Sequence, residues 1–169
     1  MNFAGLMKND IVDSDSGFSV SLWFAGCPLH CSQKCQNRRL WDPDSGEKIP
    51  NDEVVSRVLD ALNANGILRN LSILGGEPFA DYNVADCAYI LSKVKEKRPG
   101  VKVYLWTGYT IEELLAKNTS DIKTILGNVN ILVDGPYKEE LRDVSLLLRG
   151  SSNQRIIRLD EEDIEQYRQ

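Results

Sequence analysis

Phe18-Ser-Val-Ser-Leu-Trp-Phe-Ala-Gly-Cys-Pro-Leu-His-Cys-Ser-Gln-Lys-Cys35 is a strand pattern that runs directly into a loop with three cysteines. Polar and apolar residues alternate in its first part, which predicts a β-strand. The loop holds Cys27, Cys31 and Cys35, and no fourth cysteine lies nearby. Structural zinc sites and iron–sulfur electron carriers use four protein ligands. Three clustered thiolates therefore favour a cubane iron–sulfur cluster with one iron left open to a substrate.

The remaining metal-binding residue types give little support to a zinc site. His30 is the only histidine, and it is adjacent to Cys31. Neighbouring residues rarely point at the same small ion, so His30 is interpreted as a surface or outer residue. Cys87 lies more than 50 positions away in a helical pattern, where it is expected to pack as a small apolar side chain. A zinc-binding interaction module stays an alternative of a different class.

Size and composition are those of one soluble domain, which we expect to span residues 1–169. The 169 residues are 27% charged and 42% hydrophobic, and the net charge is −5. This negative charge argues against a nucleic-acid binder. The sequence has no apolar run of the roughly 20 residues that are needed to span a membrane. Its N-terminus also has no signal-peptide pattern. We therefore expect a cytoplasmic protein, in which clustered cysteines indicate metal binding or catalysis.

Strand and helix patterns alternate along the chain. The predicted strands are Phe18–Phe24, Leu71–Leu74, Val101–Trp106, Val129–Val133 and Gln154–Leu159. The predicted helices begin at a capping Asn51, at Val84, and at the capping box Thr110-Ile-Glu-Glu113, with a short one over Asp121–Leu126 that ends at Gly127. The acidic tail, 160–169, is either a docked helix or frayed.

This order predicts an α/β fold with a mostly parallel sheet. The chain is too short for a closed eight-stranded barrel of about 250 residues. We therefore expect an open, partial (βα) barrel of about five to six mostly parallel strands. Four turns directly follow predicted strands: the cysteine loop, Gly-Gly-Glu-Pro, Trp-Thr-Gly-Tyr and Val-Asp-Gly. In parallel sheets, ligands bind at the carboxyl ends of the strands. These turns are therefore expected to meet on one rim.

Three further segments carry candidate functional residues. Two glycines in Gly75-Gly76-Glu77-Pro78 allow close approach of a ligand to the backbone, although a tight strand-to-helix turn would use the same residues. The aromatic residues of Trp106-Thr-Gly-Tyr109 are typical of either a core or a pocket. Asp134 ends an apolar strand, where a lone carboxylate needs a polar partner. The polar run 149–155 either lines a pocket or is solvated.

Together these segments resemble a known family. The chain is similar to radical S-adenosylmethionine enzymes, and more narrowly to activating proteins of the anaerobic ribonucleoside-triphosphate reductase. The resemblance spans nearly the whole chain and rests on these segments: Asp10-Ile-Val12, Gly26-Cys27, the cysteine loop with Asn37 and Trp41, Gly-Gly-Glu-Pro, Trp106-Thr-Gly-Tyr109, Val133-Asp-Gly135 and Arg149-Gly-Ser-Ser-Asn-Gln154. The last run is the most specific to the narrower family.

The resemblance implies a function for these residues. It implies that Cys27, Cys31 and Cys35 hold a [4Fe–4S] cluster whose open iron binds S-adenosylmethionine, with no catalytic side chain beyond the cluster. The residues that it implies for cofactor binding are Lys34, Cys35, Gln36, Gly75, Gly76, Glu77, Thr107 and Asp134. An electron from a flavodoxin-type donor would cleave the cofactor to a 5′-deoxyadenosyl radical. That radical would then generate a glycyl radical on the anaerobic reductase.

The cysteine spacing departs from the family pattern. The usual spacing is three residues and then two, whereas Ser32-Gln33-Lys34 here separates the last pair. The extra residue brings Lys34 before the last cysteine and Gln36 after it, which alters the expected contacts with adenine. We interpret it as a tolerated loop variant. A small-molecule radical enzyme, such as one forming 7-carboxy-7-deazaguanine, is the alternative within the superfamily, and the Arg-Gly-Ser-Ser-Asn-Gln run argues against it.

Overall fold

The computed structural model describes residues 1–161 and 164–167, and within them the chain forms seven β-strands and four α-helices. The strands are β1 (Asn2–Asp10), β2 (Phe18–Phe24), β3 (Glu47–Lys48), β4 (Arg69–Gly75), β5 (Val103–Trp106), β6 (Ile131–Asp134) and β7 (Arg155–Arg158). The helices are α1 (Asn51–Asn63), α2 (Val84–Lys97), α3 (Ile111–Lys117) and α4 (Ser120–Asn128). No helix in this described part of the chain is long and apolar enough to cross a membrane.

The strands form one open sheet in the order β3-β1-β2-β4-β5-β6-β7. Strands β2, β4, β5 and β6 run parallel to one another, whereas β1 and β7 pair antiparallel with β2 and β6, and β3 pairs antiparallel with β1. The parallel strands are joined through helices, as parallel strands require. The sheet is therefore mostly parallel and open, as the sequence predicts.

The prediction of about five to six strands was wrong, because β1 and β3 were missed. Strand β1 lacks clean alternation: it contains Gly5 and ends in Lys-Asn-Asp, and its pairing with β2 has two register shifts. Strand β3 has only two residues and pairs with the start of β1. Strand β1 pairs with the edge of β2, and β3 pairs in turn with the outer edge of β1. Pairing with a free edge is a tertiary condition that hydrophobic periodicity does not report.

The hydrophobic core lies between the helices and one face of the sheet. Each parallel strand contributes alternate residues to this face, as period-2 geometry requires. Those on β2 are Val20, Leu22 and Phe24. Helix α2 contributes Cys87, whose fully buried thiol confirms the apolar packing expected of that residue. Burial also raises the pKa of this thiol, which keeps it protonated and inert.

The opposite face of the sheet is polar near the start of the strands, where the loop 11–17 covers part of it, and apolar towards the rim, where Leu74 and Val133 are buried. Ser72 Oγ donates a hydrogen bond to the carbonyl of Asp13, and the Tyr104 hydroxyl contacts Asp15. On β2, Ser21 Oγ donates to Asp10 Oδ2 at 2.8 Å. In the described part of the chain, helices thus cover one face, and on the other face Ser21, Ser72 and Tyr104 are buried.

Local signals located the helices well, with two corrections at their ends. The capping box of Thr110 and Glu113 is confirmed at the start of α3. Helix α1 begins at Asn51 as a helical residue after Pro50, so Asn51 is not the cap. Helix α4 runs to Asn128, so Gly127 lies inside it. In the tail, Ile164–Tyr167 forms one 3-10 turn, and residues 162–163 and 168–169 lie outside the described residues.

Candidate functional site

The turns that follow β2, β4, β5 and β6 meet at one rim of the sheet. The Gly76 N–H donates to the Phe24 carbonyl at 2.7 Å, which joins the turn after β4 to the end of β2. Thr107 N–H donates to Val133 O at 3.0 Å, which joins the turn after β5 to β6. The rim predicted from strand order is confirmed.

The cysteine loop is anchored at its start by main-chain hydrogen bonds. Gly26 N–H donates to Leu40 O at 2.7 Å, and Cys27 N–H donates to Trp41 O at 2.9 Å. Trp41 also stacks on His30, with ring centroids 4.2 Å apart. His30 is exposed, as expected of a surface residue, and its stacking closes the loop on its outer side.

The three thiols of this loop differ in exposure. Cys31 is exposed, whereas Cys27 and Cys35 are half-buried. Burial is the main cause that raises the pKa of the Cys27 and Cys31 thiols. Metal binding requires the thiolate, so a positively charged iron centre would displace these protons. Three soft sulfur donors on one accessible loop fit an iron–sulfur cluster.

The loop does not have the geometry of a single-ion site. Within residues 1–161 and 164–167, no group of three or more His, Cys, Asp or Glu side chains is arranged to hold one metal ion. The extra residue in the loop folds into a tight turn, in which Cys35 N–H donates to Ser32 O at 3.0 Å.

The Gly-Gly-Glu turn packs directly on the residue before the first cysteine. Glu77 N–H donates to Gly26 O at 2.8 Å. A Cβ placed on Gly76 would lie 2.2 Å from the same oxygen, so this position must be glycine. Gly75 has a φ of +109°, a conformation that also favours glycine. Both glycines are therefore required by contacts within the protein, and both remain partly exposed at the rim.

The Glu77 carboxylate makes hydrogen bonds to two turns of the rim, those after β4 and β5. Its side chain is almost fully buried and accepts hydrogen bonds from Phe79 N–H, Thr107 Oγ1 and Gly108 N–H at 3.0, 2.8 and 2.8 Å. Burial raises its pKa to about 7 in spite of these donors, which favour the charged form. The carboxylate thus fixes the turn after β5 against the turn after β4.

The turn after β5 in turn contacts the cysteine loop. A Cβ on Gly108 would lie 2.5 Å from Leu29 Cδ1 and 3.8 Å from Cys31 Sγ. Thr107 is buried with its hydroxyl on Glu77. The glycine at position 108 therefore leaves room for the cysteine loop to close over the rim.

Asp134 is placed below the rim surface. Its carboxylate accepts from the Ile111 N–H at 2.8 Å and from Arg155 Nε at 2.9 Å. Arg155 also binds Glu112, and it lowers the pKa of that carboxyl to about 2. Asp134 has the polar partners that a carboxylate at the end of an apolar strand needs. A direct contact of Asp134 with a cofactor stays a prediction.

Lys34 and Gln36 lie on the exposed side of the cysteine loop. Lys34 Nζ pairs with Glu139 Oε1 at 3.0 Å, and 74% of its side chain is exposed. This pair links the loop to the segment after β6. An exposed ion pair contributes little to stability, roughly 0–1 kcal/mol. Cofactor contacts of Lys34 and Gln36 likewise stay predictions.

The polar run 149–154 belongs to the same rim. Gln154 Nε2 donates to the carbonyl of Gly135, and Asn153 Nδ2 donates to the carbonyl of Pro136. The run is therefore neither a solvated loop nor a pocket wall alone. It fixes the chain that leaves β6.

Sequence reasoning missed two residues of the site. Asn83 is fully buried, and its Nδ2 donates to Ala25 O at 2.9 Å and to Glu77 O at 3.1 Å, so it bridges the two central turns. Tyr82 covers Gly26: a Cβ at that glycine would lie 2.4 Å from Tyr82 Cε2. An Asn directly before a helix resembles an ordinary cap, and nothing in the local pattern distinguishes its long-range bonds.

Comparison with known proteins agrees with this geometry. The family described as "4Fe-4S single cluster domain" matches residues 15–157. The chain is 32% identical over 155 residues to the anaerobic ribonucleoside-triphosphate reductase-activating protein of Escherichia coli, covering 91% of this chain and 96% of that protein. The protein of the same name from Pasteurella multocida is 33% identical over 160 residues, covering 94% and 98%. That of Enterobacteria phage T4 is 31% identical over 158 residues, covering 92% and 93%.

The match includes the cysteine loop, the Gly-Gly-Glu turn and the run 149–154, and it covers nearly the full length of each relative. The chain therefore belongs to the family of anaerobic ribonucleoside-triphosphate reductase-activating proteins, which carry a 4Fe-4S single-cluster domain.

Proposed function

We propose that the protein is a radical S-adenosylmethionine enzyme that activates the anaerobic ribonucleoside-triphosphate reductase. The observation that carries this proposal is the joining of three accessible cysteines to a Gly-Gly-Glu turn, through the 2.8 Å bond between Glu77 N–H and Gly26 O. The names of the relatives supply the reaction partner. The open sheet is proposed to be the partial barrel of this superfamily, in a single domain over residues 1–169.

We propose that Cys27, Cys31 and Cys35 hold the cluster. When bound, a [4Fe–4S] cluster supplies the electron that cleaves S-adenosylmethionine to methionine and a 5′-deoxyadenosyl radical, which takes a hydrogen atom from a glycine of the partner. The chain's own task is to hold and orient these groups. The mixed exposure of the three thiols supports this role, because Cys31 is accessible to a ligand from outside.

The turns around the loop are proposed to orient the cofactor. Gly75 and Gly76 bring main-chain atoms to the rim, where carbonyl oxygens can accept hydrogen bonds from an ammonium group. Glu77 would act from below, by fixing the turn with Thr107 and Gly108. The stacked pair of His30 and Trp41 would restrict water on the outer side of the loop. Lys34, Gln36 and Asp134 are proposed as further cofactor contacts, as the family resemblance implies.

The partner is proposed to be a protein, since the relatives are named for activation of a reductase. Within the described residues, no helix packs on the sheet face that carries the half-buried Trp23 and Trp106 beside the rim, which would leave room for a protein segment. A flavodoxin-type protein is proposed as the electron donor. The free thiols of the loop support function in a reducing compartment, and we propose the cytoplasm.

Anaerobic reconstitution with iron and sulfide tests this proposal. We expect a full [4Fe–4S] complement, and formation of 5′-deoxyadenosine after dithionite reduction with S-adenosylmethionine, but not in air. Addition of the reductase should then give a glycyl-radical signal in electron paramagnetic resonance. Binding of a single zinc in place of the cluster would support the non-catalytic module. Cleavage without a glycyl radical on any reductase would support a small-molecule enzyme.

A further inference from the structure

Asn83 is the residue directly before helix α2, yet its side chain does not cap this helix. An asparagine in this position usually accepts a hydrogen bond from a main-chain N–H of the first helical turn. The Asn83 side chain makes no such bond, and the residue is fully buried. A buried carboxamide needs partners for both its donor and its acceptor atoms. The partners of Asn83 lie in other parts of the chain.

The amide nitrogen of Asn83 joins the two central turns of the rim. Nδ2 donates to Ala25 O at 2.9 Å and to Glu77 O at 3.1 Å. Ala25 lies two residues before Cys27, the first cysteine of the loop, and Glu77 ends the Gly-Gly-Glu turn. The two N–H bonds of one amide group therefore serve two different turns. Asn83 is thus bonded both to the base of the cysteine loop and to the turn that is proposed to orient the cofactor.

A second asparagine fixes the orientation of this carboxamide. Asn83 Oδ1 accepts a hydrogen bond from Asn2 Nδ2 at 3.2 Å, and Asn2 Oδ1 accepts one from Lys48 Nζ. A lysine ammonium only donates hydrogen bonds, and a main-chain carbonyl only accepts them. The ammonium at one end of this chain of bonds and the carbonyls at the other end therefore require the same direction of both amides. Strands β1 and β3, which carry Asn2 and Lys48, support the rim in this way.

Asn83 also connects the two turns to helix α2. Two main-chain hydrogen bonds, donated by Gly76 N–H and Glu77 N–H, join the Gly-Gly-Glu turn to the end of β2 and the residues after it. These bonds connect the two turns to each other. The main-chain carbonyl of Asn83 accepts from Cys87 N–H at 2.9 Å, so the residue is held by the first turn of α2. The side chain of Asn83 therefore fixes both turns against a helix that is packed in the core.

We infer that Asn83 is a positioning residue that sets the spacing between the cysteine loop and the Gly-Gly-Glu turn, and this inference rests on the proposed function. S-adenosylmethionine is proposed to contact both regions at once, so its binding depends on their spacing. The cluster is proposed to be held by three thiols of one loop, so its loading depends less on that spacing. Loss of the Asn83 bonds should therefore weaken the binding of S-adenosylmethionine in a protein that still loads iron and sulfide.

Two substitutions remove the bonds of Asn83 to different degrees. Asn83→Leu keeps the approximate size of the side chain and removes all of its hydrogen bonds. Asn83→Ser keeps a hydroxyl group, which is too short to bond both turns. Val94→Ala is the matched control, because Val94 is fully buried in the same helix and its truncation leaves a cavity. This control lowers the free energy of unfolding without removing a hydrogen bond of the rim.

The first measurement is amide hydrogen exchange in the apoprotein, which reports local opening and does not depend on a cluster. The N–H groups of Gly76 and Glu77 should exchange faster in Asn83→Leu than in the wild type. The N–H groups of β6 should exchange at the wild-type rate in the same variant. Such a local change would show that Asn83 holds the Gly-Gly-Glu turn in place.

The second measurement is the steady-state formation of 5′-deoxyadenosine after anaerobic reconstitution. In Asn83→Leu, KM for S-adenosylmethionine should rise by about 10- to 100-fold, as is typical for loss of a residue that orients binding groups. The rise should be smaller in Asn83→Ser. In both variants kcat should change less than KM, and the iron content should match that of the wild type. Val94→Ala should keep the wild-type KM although its apoprotein unfolds at a lower temperature.

A folded Asn83→Leu protein with a wild-type KM, or with wild-type exchange at Gly76 and Glu77, would overturn the inference. If this variant does not fold, Asn83→Ser decides, and an unchanged KM there overturns the inference. An equal rise of KM in Val94→Ala would overturn it as well, because lost stability alone would then explain the effect. A wild-type protein that loads no cluster would count against the proposed function instead, and hydrogen exchange in the apoprotein would still test Asn83.

Discussion

The cysteine loop and the Gly-Gly-Glu turn lie side by side on the rim but are built in opposite ways. The loop presents an exposed Cys31 and two half-buried cysteines, and its extra residue lies in a turn at the surface. The turn is centred on a buried Glu77 that accepts three hydrogen bonds. The difference indicates that the turn is organised by hydrogen bonds within the protein, whereas the loop keeps the Cys31 thiol accessible, as the proposed cluster would require.

The largest effect is expected from substitutions in the cysteine loop. Cys27→Ala, Cys31→Ala or Cys35→Ala should each abolish cluster loading, because each removes one of three thiolates. Cys87→Ala should load normally, since its fully buried thiol packs in the hydrophobic core on helix α2. Iron and sulfide analysis after anaerobic reconstitution measures this. A fully loaded Cys31→Ala protein would contradict the three-ligand arrangement.

The next largest effect is expected where the Gly-Gly-Glu turn contacts the cysteine loop. Gly76→Val places a side chain where a Cβ would be 2.2 Å from Gly26 O. Overpacking against the main chain should lower the free energy of unfolding by about 3 kcal/mol. Because Gly26 precedes Cys27, cluster loading should fall as well.

Thermal unfolding of the apoprotein and iron analysis check the Gly76 prediction together. Gly127→Val is the control, because a Cβ at Gly127 meets no atom within 4 Å in the described part of the chain. Wild-type stability in the Gly76 variant would show that the turn can move away from the loop.

The next prediction concerns the buried Glu77 carboxyl and how the free energy of unfolding depends on pH. A carboxyl with a raised pKa binds its proton more tightly in the folded than in the unfolded protein. The stabilisation by Glu77 is therefore present at low pH and decreases as pH rises from its ordinary 4.5 to about 7. The loss is on the order of 3 kcal/mol. Denaturant unfolding of the apoprotein at pH values from about 4 to about 8 measures this loss of stability.

The Glu77→Gln variant should flatten this pH dependence. The comparison needs an Asp13→Asn control, because burial also raises the pKa of Asp13 to about 7 on the opposite side of the sheet. Each substitution should remove its own part of the slope. An unchanged slope in Glu77→Gln would show that this carboxyl does not titrate in the window.

The smallest effect concerns the extra residue of the loop. Gln33 is exposed within the turn that Ser32 and Cys35 close. Deleting Gln33 restores the usual family spacing, and we expect cluster loading and 5′-deoxyadenosine yield to stay close to those of the wild type. Loss of both would show that the longer spacing sets the position of the Cys35 thiol. It would also contradict the proposed cofactor contacts of Lys34 and Gln36.

The sequence was enough to predict the central architecture, because local signals there agree with the tertiary structure. The alternation in β2, the capping box at Thr110 and the apolar stripe of α2 each specify one element. The rim followed from strand order alone. Strands β1 and β3 could not be predicted, since their pairing depends on the free edges of β2 and of β1 rather than on their own composition.

The chemistry of the site divides in the same way. The amino-acid sequence by itself determined the three thiolates, the glycines of the turn and the family, because these are matters of residue type and spacing. Only the tertiary structure decided that Gly76 is required by Gly26, that Asn83 bridges two turns, and that Gln154 fixes the chain that leaves β6. These roles depend on hydrogen bonds and close contacts between residues far apart in the chain, and such contacts leave no periodic signal in the sequence.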